Sequence, residues 1–223
     1  MEKIVIYGAG NQARVVIDSV EKEQKYNVIG LIDDEKPEGT EVLGYKVIGN
    51  KQKLLSLLGS GIRLCIIAIG DNKVRKEKAE YIMEKSFSLV SVKHPFCSVG
   101  KGTSIGAGTV IFHGVVIDPE VSIGKCVIIN DNTLVGHNSK IGDFAHISAG
   151  VNFGGGSVIE ENSFIGMGVT VIPNIHIGKN VFIGAGSLIA RDIPDDMKVI
   201  GFMRKTMINR INKEVKPDNK EYT

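Results

Sequence analysis

The segment VGKGTSIGAGTVIFHGVVIDPEVSIGKCVIINDNTLVGHNSKIGDFAHISAGVNFGGGSVIEENSFIGMGVTVIPNIHIGKNVFIGAGSLI, Val99 to Ile189, decides the fold. Read in sixes, it carries an aliphatic residue or Phe at every sixth position, from Val99, Ile105 and Ile111 through Val135, Ile141, Ile147 and Phe153 to Ile183 and Ile189. Two places before each next hit lies a second column, small or β-branched throughout, such as Thr109, Val127, Thr133, Ser139, Ala145, Ser163 and Ser187. A period of six is neither helical nor plain strand alternation. It is the signature of a hexapeptide-repeat parallel β-helix, in which each hexad is one short strand and one corner, and three hexads close a triangular coil. Both columns point into the prism, because alternate side chains share a strand face. Successive coils stack about 4.8 Å apart and satisfy each other's backbone groups. Residues eighteen apart in sequence are then neighbours in space.

Upstream, the pattern changes. Lys3-Ile4-Val5-Ile6-Tyr7 reads as a short strand, Gly8-Ala9-Gly10-Asn11-Gln12-Ala13 as a tight turn, and residues 14–22 as a helix. A second strand over 26–32 ends in Asp33-Asp34. Strand, G-x-G-x-x-A, helix, strand, acid is a Rossmann-type fingerprint in its proper context. Helix N-terminal amides suit a pyrophosphate, and a strand-end acid suits a ribose or base. Residues 51–58 read as helix, 63–69 as a buried parallel strand closing with Gly70-Asp71-Asn72, 73–85 as helix and 87–92 as a last strand before His94-Pro95. Ligands of such sheets sit beyond the strand C-termini, which gathers Gly8, Gly10, Asn11, Gln12, Asp33, Asp34, Gly70 and Asn72 around one crevice. The expected organisation is a Rossmann-like α/β domain over residues 1–92, the β-helix over 93–196, and a C-terminal segment over 197–223. In that last segment a strand or turn at 197–202 and a short helix at 203–215 precede a polar end.

Composition narrows the function classes. Among 223 residues the formal net charge is +2, and no basic cluster is interleaved with aromatics, so nucleic acid is not an expected partner. No apolar run reaches membrane-spanning length, and Met1 leads straight into a strand. The three cysteines, Cys65, Cys97 and Cys126, are odd in number and lack metal-ligand spacing, which fits reduced packing residues in a cytoplasmic protein.

The prism interior is packed, so chemistry belongs on its outside. His137 stands two places after Val135, at a corner, and the eighteen-residue count sets it beside Pro119 and Gly155. His146 precedes Ile147 on an outward face; His113 shares the corner phase of His137. The three histidines do not share one phase, His146 differing from the other two, and no acidic motif supports them, so no metal site is expected.

Both halves together resemble the sugar acetyltransferases that include sialic acid O-acetyltransferases and bacillosamine-type N-acetyltransferases of UDP-4-amino sugars. Hexads alone indicate acyltransferases in general. The segments Gly8 to Ala13, Leu31-Ile32-Asp33-Asp34, and Ala68-Ile69-Gly70-Asp71-Asn72 with Arg75 narrow the resemblance to this family, over about residues 3–202. The resemblance implies a left-handed β-helix, a homotrimer, acetyl-CoA in grooves between prisms, and a nucleotide-linked amino sugar against the N-terminal domain. It implies His137 as the catalytic base, His146 near the thioester carbonyl, and pantetheine contacts at Gly155, Met167 and Ala185. It also implies a role in surface-glycan or polysaccharide synthesis. Other expectations are a sugar O-acetyltransferase or a non-catalytic nucleotide-sugar-binding trimer. A nicotinamide-dependent oxidoreductase is disfavoured by the short first domain and the lack of a Tyr-x-x-x-Lys motif. The chain departs from the family beside the histidine, where acidic residues are usual and Gly136 and Asn138 stand instead. An uncharged neighbourhood suits an amine acceptor better than a hydroxyl, unless a more distant acid such as Asp118 or Asp131 serves.

Overall fold

A computed structural model describes residues 1–201 and the backbone of a strand at Ile208–Arg210. The N-terminal unit runs β1 (Glu2–Tyr7), α1 (Asn11–Glu23), β2 (Tyr26–Ile32), β3 (Glu41–Val42), β4 (Tyr45–Gly49), α2 (Lys51–Gly59), β5 (Leu64–Ile67), α3 (Asn72–Glu84) and β6 (Ser88–Leu89). Its sheet has the order β3-β4-β2-β1-β5-β6, parallel except for the β3–β4 hairpin. The strand order reverses between β1 and β5, which is where such sheets bind ligands. The hairpin turns on Leu43 and Gly44, both at positive φ, as a two-residue turn requires; a Leu in that position hides the signal in the sequence.

From Val92 the chain forms a left-handed parallel β-helix with one strand per hexad. The first face begins with Val92–Lys93 and repeats at Val110–Ile111, Ile128–Ile129, His146–Ile147, Phe164–Ile165 and Phe182–Ile183. The second begins with Ser98–Val99 and the third with Ser104–Ile105. The aliphatic column fills the interior from Ile111 to Ile189 with almost no exposure. Buried hydroxyls in the small column are satisfied locally: Thr109 donates to the Gly124 carbonyl and Ser163 to that of Gly178.

The run expected as one strand over 87–92 divides in two. The amide of Val90 still bonds Cys65 in the sheet, whereas that of Val92 bonds Thr109 in the first coil, so the chain changes partner between them. At the other end, Ile208–Arg210 pairs antiparallel with Met197–Val199, so part of the segment expected as a helix is strand; the rest of it lies outside the described residues.

The two units share a core. Ala13, Val16, Ile17 and Val20 of α1 pack with Val92, Val110, Phe112 and Ile128 on the first face. Farther along, that face is left open and carries His146, Phe164 and Phe182.

Candidate active site

His137 sits on the corner between the second and third faces, after the strand Leu134–Val135. Its Nδ1 lies 2.8 Å from Asn138 Oδ1, and Asn138 Nδ2 donates to Glu120 Oε2 at 2.7 Å. The ring occupies a recess of about 220 Å³ lined by Asn138, Gly155, Gly156, Pro173 and Asn174. A Cβ on Gly155 would stand 2.7 Å from His137 Nε2. The backbone of Gly155 is not left-handed, so the imidazole alone demands glycine there. Gly155→Ala is therefore expected to fold normally yet, with His137 as the candidate base, to lower turnover by about 10²-fold, the cost of misplacing such a group by about an ångström. Circular dichroism and steady-state kinetics on the same preparation check both halves.

His146 stands on the opposite side of the prism, on the first face and against the N-terminal unit. Its Nδ1 is 3.0 Å from the Gly70 carbonyl, and its Nε2 is 2.9 Å from Asn130 Nδ2. Asn130 Nδ2 also donates to the Ile147 carbonyl, which fixes the amide orientation. Nδ1 thus carries the proton and Nε2 accepts. Burial above all, with the Arg75 charge adding to it, pushes this imidazole down to about 4. The neutral ring's contribution to stability is complete above the free value of about 6.5 and is lost as pH falls through about 4. Acidification from pH 7 to 4 should remove on the order of 3 kcal/mol at this position. Melting curves across that range should show a smaller loss for His146→Gln.

The same carbonyl of Gly70 accepts from Arg75, which is 1% exposed. The guanidinium reaches five backbone carbonyls, those of Ile69 and Gly70 in the N-terminal unit and of Cys126, Phe144 and Ala145 in the prism, plus Asn72 Oδ1. Burial lowers it to about 10, so it stays charged at neutral pH. Asn72 Nδ2 extends the seam to the carbonyls of Asn162 and Ser163. This seam borders a cavity of about 1730 Å³ between Gly70–Lys73 and the first face, where His146, Phe164, Phe182 and Asn180 form the wall. Phe164 and Phe182 stack at 5.2 Å, with Lys198 Nζ 5.4 Å from the Phe182 ring centre.

On the sheet side of the crevice, Gly8 and Gly10 differ in kind. Gly8 has φ +112° and a Cβ would meet the Ala68 carbonyl at 2.7 Å, so the fold requires it; a Cβ on Gly10 meets nothing. Gly10 caps α1 without a side-chain bond, leaving the helix N-terminus by Asn11 and Gln12 open to an anion. Gln12 Oε1 reaches toward Gly70, and Gln12 Nε2 is buried without a partner. Asp33 and Asp34 are occupied by the fold itself. Asp33 accepts from the amides of Ala9, Glu35 and Lys36. Asp34 accepts from Tyr7 Oη and pairs with Lys78 at 3.1 Å; burial raises this carboxyl, but those bonds outweigh it and hold it low.

Gly70, Asn72 and His146 therefore meet in one cavity, and His137 meets Gly155. Met167 and Ala185 stack on a third location, the corner between the first and second faces, where Gly186 N bonds the Met167 carbonyl. Within one chain these three groups do not converge. His113, His137 and His146 likewise occupy separate places, and among the described residues no group of three His, Cys, Asp or Glu could hold a metal. The repeat pattern does not mark Glu120, Asn130, Phe164 or Phe182; of these, Glu120 is traceable by counting eighteen back from Asn138.

Comparison with known proteins bears on this arrangement. A family model described as the PglD N-terminal domain matches residues 3–82, and one described as bacterial transferase hexapeptide (six repeats) matches 156–191. A perosamine N-acetyltransferase from Caulobacter crescentus, solved with CoA and GDP-perosamine, superposes with a TM-score of 0.88 at 32% identity, over 94% of this chain and 97% of that one. The chain belongs to the hexapeptide-repeat 4-amino-sugar N-acetyltransferase family. The acetyltransferase domain of PglB from Neisseria gonorrhoeae, solved with acetyl coenzyme A, gives 0.83 at 31% identity over 90% and 96% of the two chains. WeeI from Acinetobacter baumannii shares the fold at 19% identity and a TM-score of 0.71, over 94% and 100% of the two chains. Comparison with curated proteins gave no match. Family membership also disposes of the oxidoreductase reading: the G-x-G-x-x-A segment sits here in an acetyltransferase.

Proposed function

We propose that this protein transfers an acetyl group from acetyl-CoA to the amine of a nucleotide-linked amino sugar, as a cytoplasmic homotrimer serving surface-glycan synthesis. The observation that carries the reading is the shared wall at Gly70. One residue closes the ligand crevice of the α/β sheet and, through His146, forms part of the β-helix surface. A sugar tethered by its nucleotide to that crevice is delivered onto the transferase prism. The Caulobacter and Neisseria structures, with GDP-perosamine and CoA or acetyl-CoA bound, support the choice of substrates.

The placement of the pieces supports the trimer. The second face exposes Val116, Leu134 and Leu188, each at about two-fifths, and Ile172 beside them. Three prisms packed with these faces toward a common axis set the second–third corner of one against the first–second corner of the next. His137 and Gly155 then approach Met167, Ala185 and the open first face of a neighbour, and the groove between takes acetyl-CoA. His137 Nε2 accepts the amine proton as nitrogen attacks the thioester carbon. The C–S bond breaks as the amide forms, and the proton passes on to the leaving thiolate. His146 gives its one N–H to Gly70, so the developing oxyanion falls to a backbone amide.

The test supplies acetyl-CoA with GDP- and UDP-linked 4-amino sugars, and separately with free sialic acid. Acetylation of the amine is expected; transfer to a hydroxyl alone would refute the assignment. Gly10→Val should weaken nucleotide-sugar binding while leaving the protein folded and CoA affinity unchanged, because its side chain points into open space. Light scattering should report a trimer, and a monomer at concentrations that retain activity would overturn the composite site.

A further inference from the structure

We propose that Glu120 is the positioning residue that brings a carboxylate to bear on His137, acting through Asn138. The inference rests on the reading of His137 as the base. Three observations carry it, the first being the direction of the hydrogen bonds. A carboxylate only accepts, so the Asn138 amide turns its NH₂ toward Glu120, at 2.7 Å, and its oxygen toward His137 Nδ1, at 2.8 Å. That oxygen requires a proton on Nδ1. The free lone pair is therefore on Nε2, which faces Gly155 and the recess. The tautomer needed for proton abstraction is set two residues away from the ring.

The second observation is electrostatic. The side chains lining the recess with His137, namely Asn138, Gly155, Gly156, Pro173 and Asn174, carry no charge. Glu120 is the ionisable group joined to the ring by hydrogen bonds, and the polarised amide passes its influence on as imidazolium forms. Asp131 does not take this part; it lies on the corner between the first and second faces, away from the ring.

The third is the backbone. Along this corner the left-handed position is held in successive coils by Gly102, Glu120, Asn138, Gly156 and Asn174. Glycine and asparagine adopt that conformation readily, whereas glutamate pays for it. A residue held in that conformation whose carboxylate accepts from Asn138 points to a use for the side chain.

Steady-state kinetics on the full-length protein with acetyl-CoA and the amino sugar test the assignment. Glu120→Gln keeps an acceptor for Asn138 but removes the charge. It should lower kcat about 10-fold, in the range seen when the partner of a functional histidine is lost, with both KM values held. Glu120→Asn should show the same loss of turnover with a melting temperature equal to or above the native one, which separates positioning from folding. Asn138→Asp alone should be slow, because two carboxylates then compete at hydrogen-bond distance. Combining Glu120→Gln with Asn138→Asp exchanges amide and acid and should restore kcat to within about threefold. A Glu120→Gln enzyme with native turnover overturns the proposal, as does a double variant no faster than the singles. His137→Ala is measured alongside. If it remains active, the base is misassigned and the role of Glu120 falls with it; if it is inactive while Glu120→Gln is native, only the role of Glu120 fails.

Discussion

Replacing His137 by alanine is expected to lower turnover by roughly 10²–10⁴, the usual contribution of a general base, with the fold and both substrate affinities preserved. The geometry makes a clean deletion plausible in physical terms. His137 lies on an outer corner, and its ring contacts Asn138 and the open face of Gly155, not the prism core. Removing it leaves the inward columns untouched; Val135 and Ser139 on either side remain buried. The Asn138 oxygen that loses its donor is on an exposed side chain and can turn to water, so no buried group is orphaned. A residual rate above the uncatalysed one should survive, because orientation of the two substrates is independent of the base. Turnover within about threefold of native, measured with the amino sugar below saturation, would remove His137 from the mechanism.

The β-helix was legible because its constraint is repeated. Each inward position must be apolar or small, and sixteen hexads state the rule sixteen times. The α/β unit was legible from its glycines and strand ends, since Gly8 must be left-handed to let the chain pass Ala68. The hairpin at Leu43–Gly44 was not, because the turn places a non-glycine residue at positive φ. Site residues divide along the same line. His137 and its neighbour Gly155 follow from the eighteen-residue count. Asp33 and Asp34 read equally well as ligand contacts or strand-end structure, and the hydrogen bonds to Ala9, Glu35, Lys36 and Tyr7 show them engaged in the fold. The lack of an acid adjacent to His137 suggested a ring without charge support. Counting one coil back would have found Glu120, but nothing in the sequence says which way its side chain turns. The case for an amine acceptor accordingly no longer rests on a bare histidine. It rests on the family and on the crevice that opens at Gly70.

Arg75→Met should destabilise the protein by roughly 3–5 kcal/mol, the combined cost of leaving several buried carbonyls without their donor. Methionine matches the length of the side chain but supplies no donors. The carbonyls of Cys126, Phe144, Ile69 and Gly70 would each lose a bond in a place where the native side chain is 1% exposed. Buried acceptors left unsatisfied cost roughly 1–3 kcal/mol each, and partial entry of water keeps the sum below a simple total. For a chain of this size the loss corresponds to a fall in melting temperature of about 10 °C. Arg75→Lys should recover little, because one ammonium cannot reach acceptors on both sides of the seam. The damage should also be local before it is global. Helix α3 and the Gly70–Asn72 turn are joined to the prism through this guanidinium and Asn72, whereas α1 is held separately by its apolar contacts with Val92, Val110 and Ile128. Hydrogen exchange should therefore quicken at Gly70 to Lys85 and at His146 while the third face keeps its protection. Nucleotide-sugar affinity should drop with it, since Gly70 would no longer be fixed between crevice and prism. A variant that melts within about 2 °C of native would mean that water replaces the guanidinium at little cost, and that the two units dock through their shared apolar core alone.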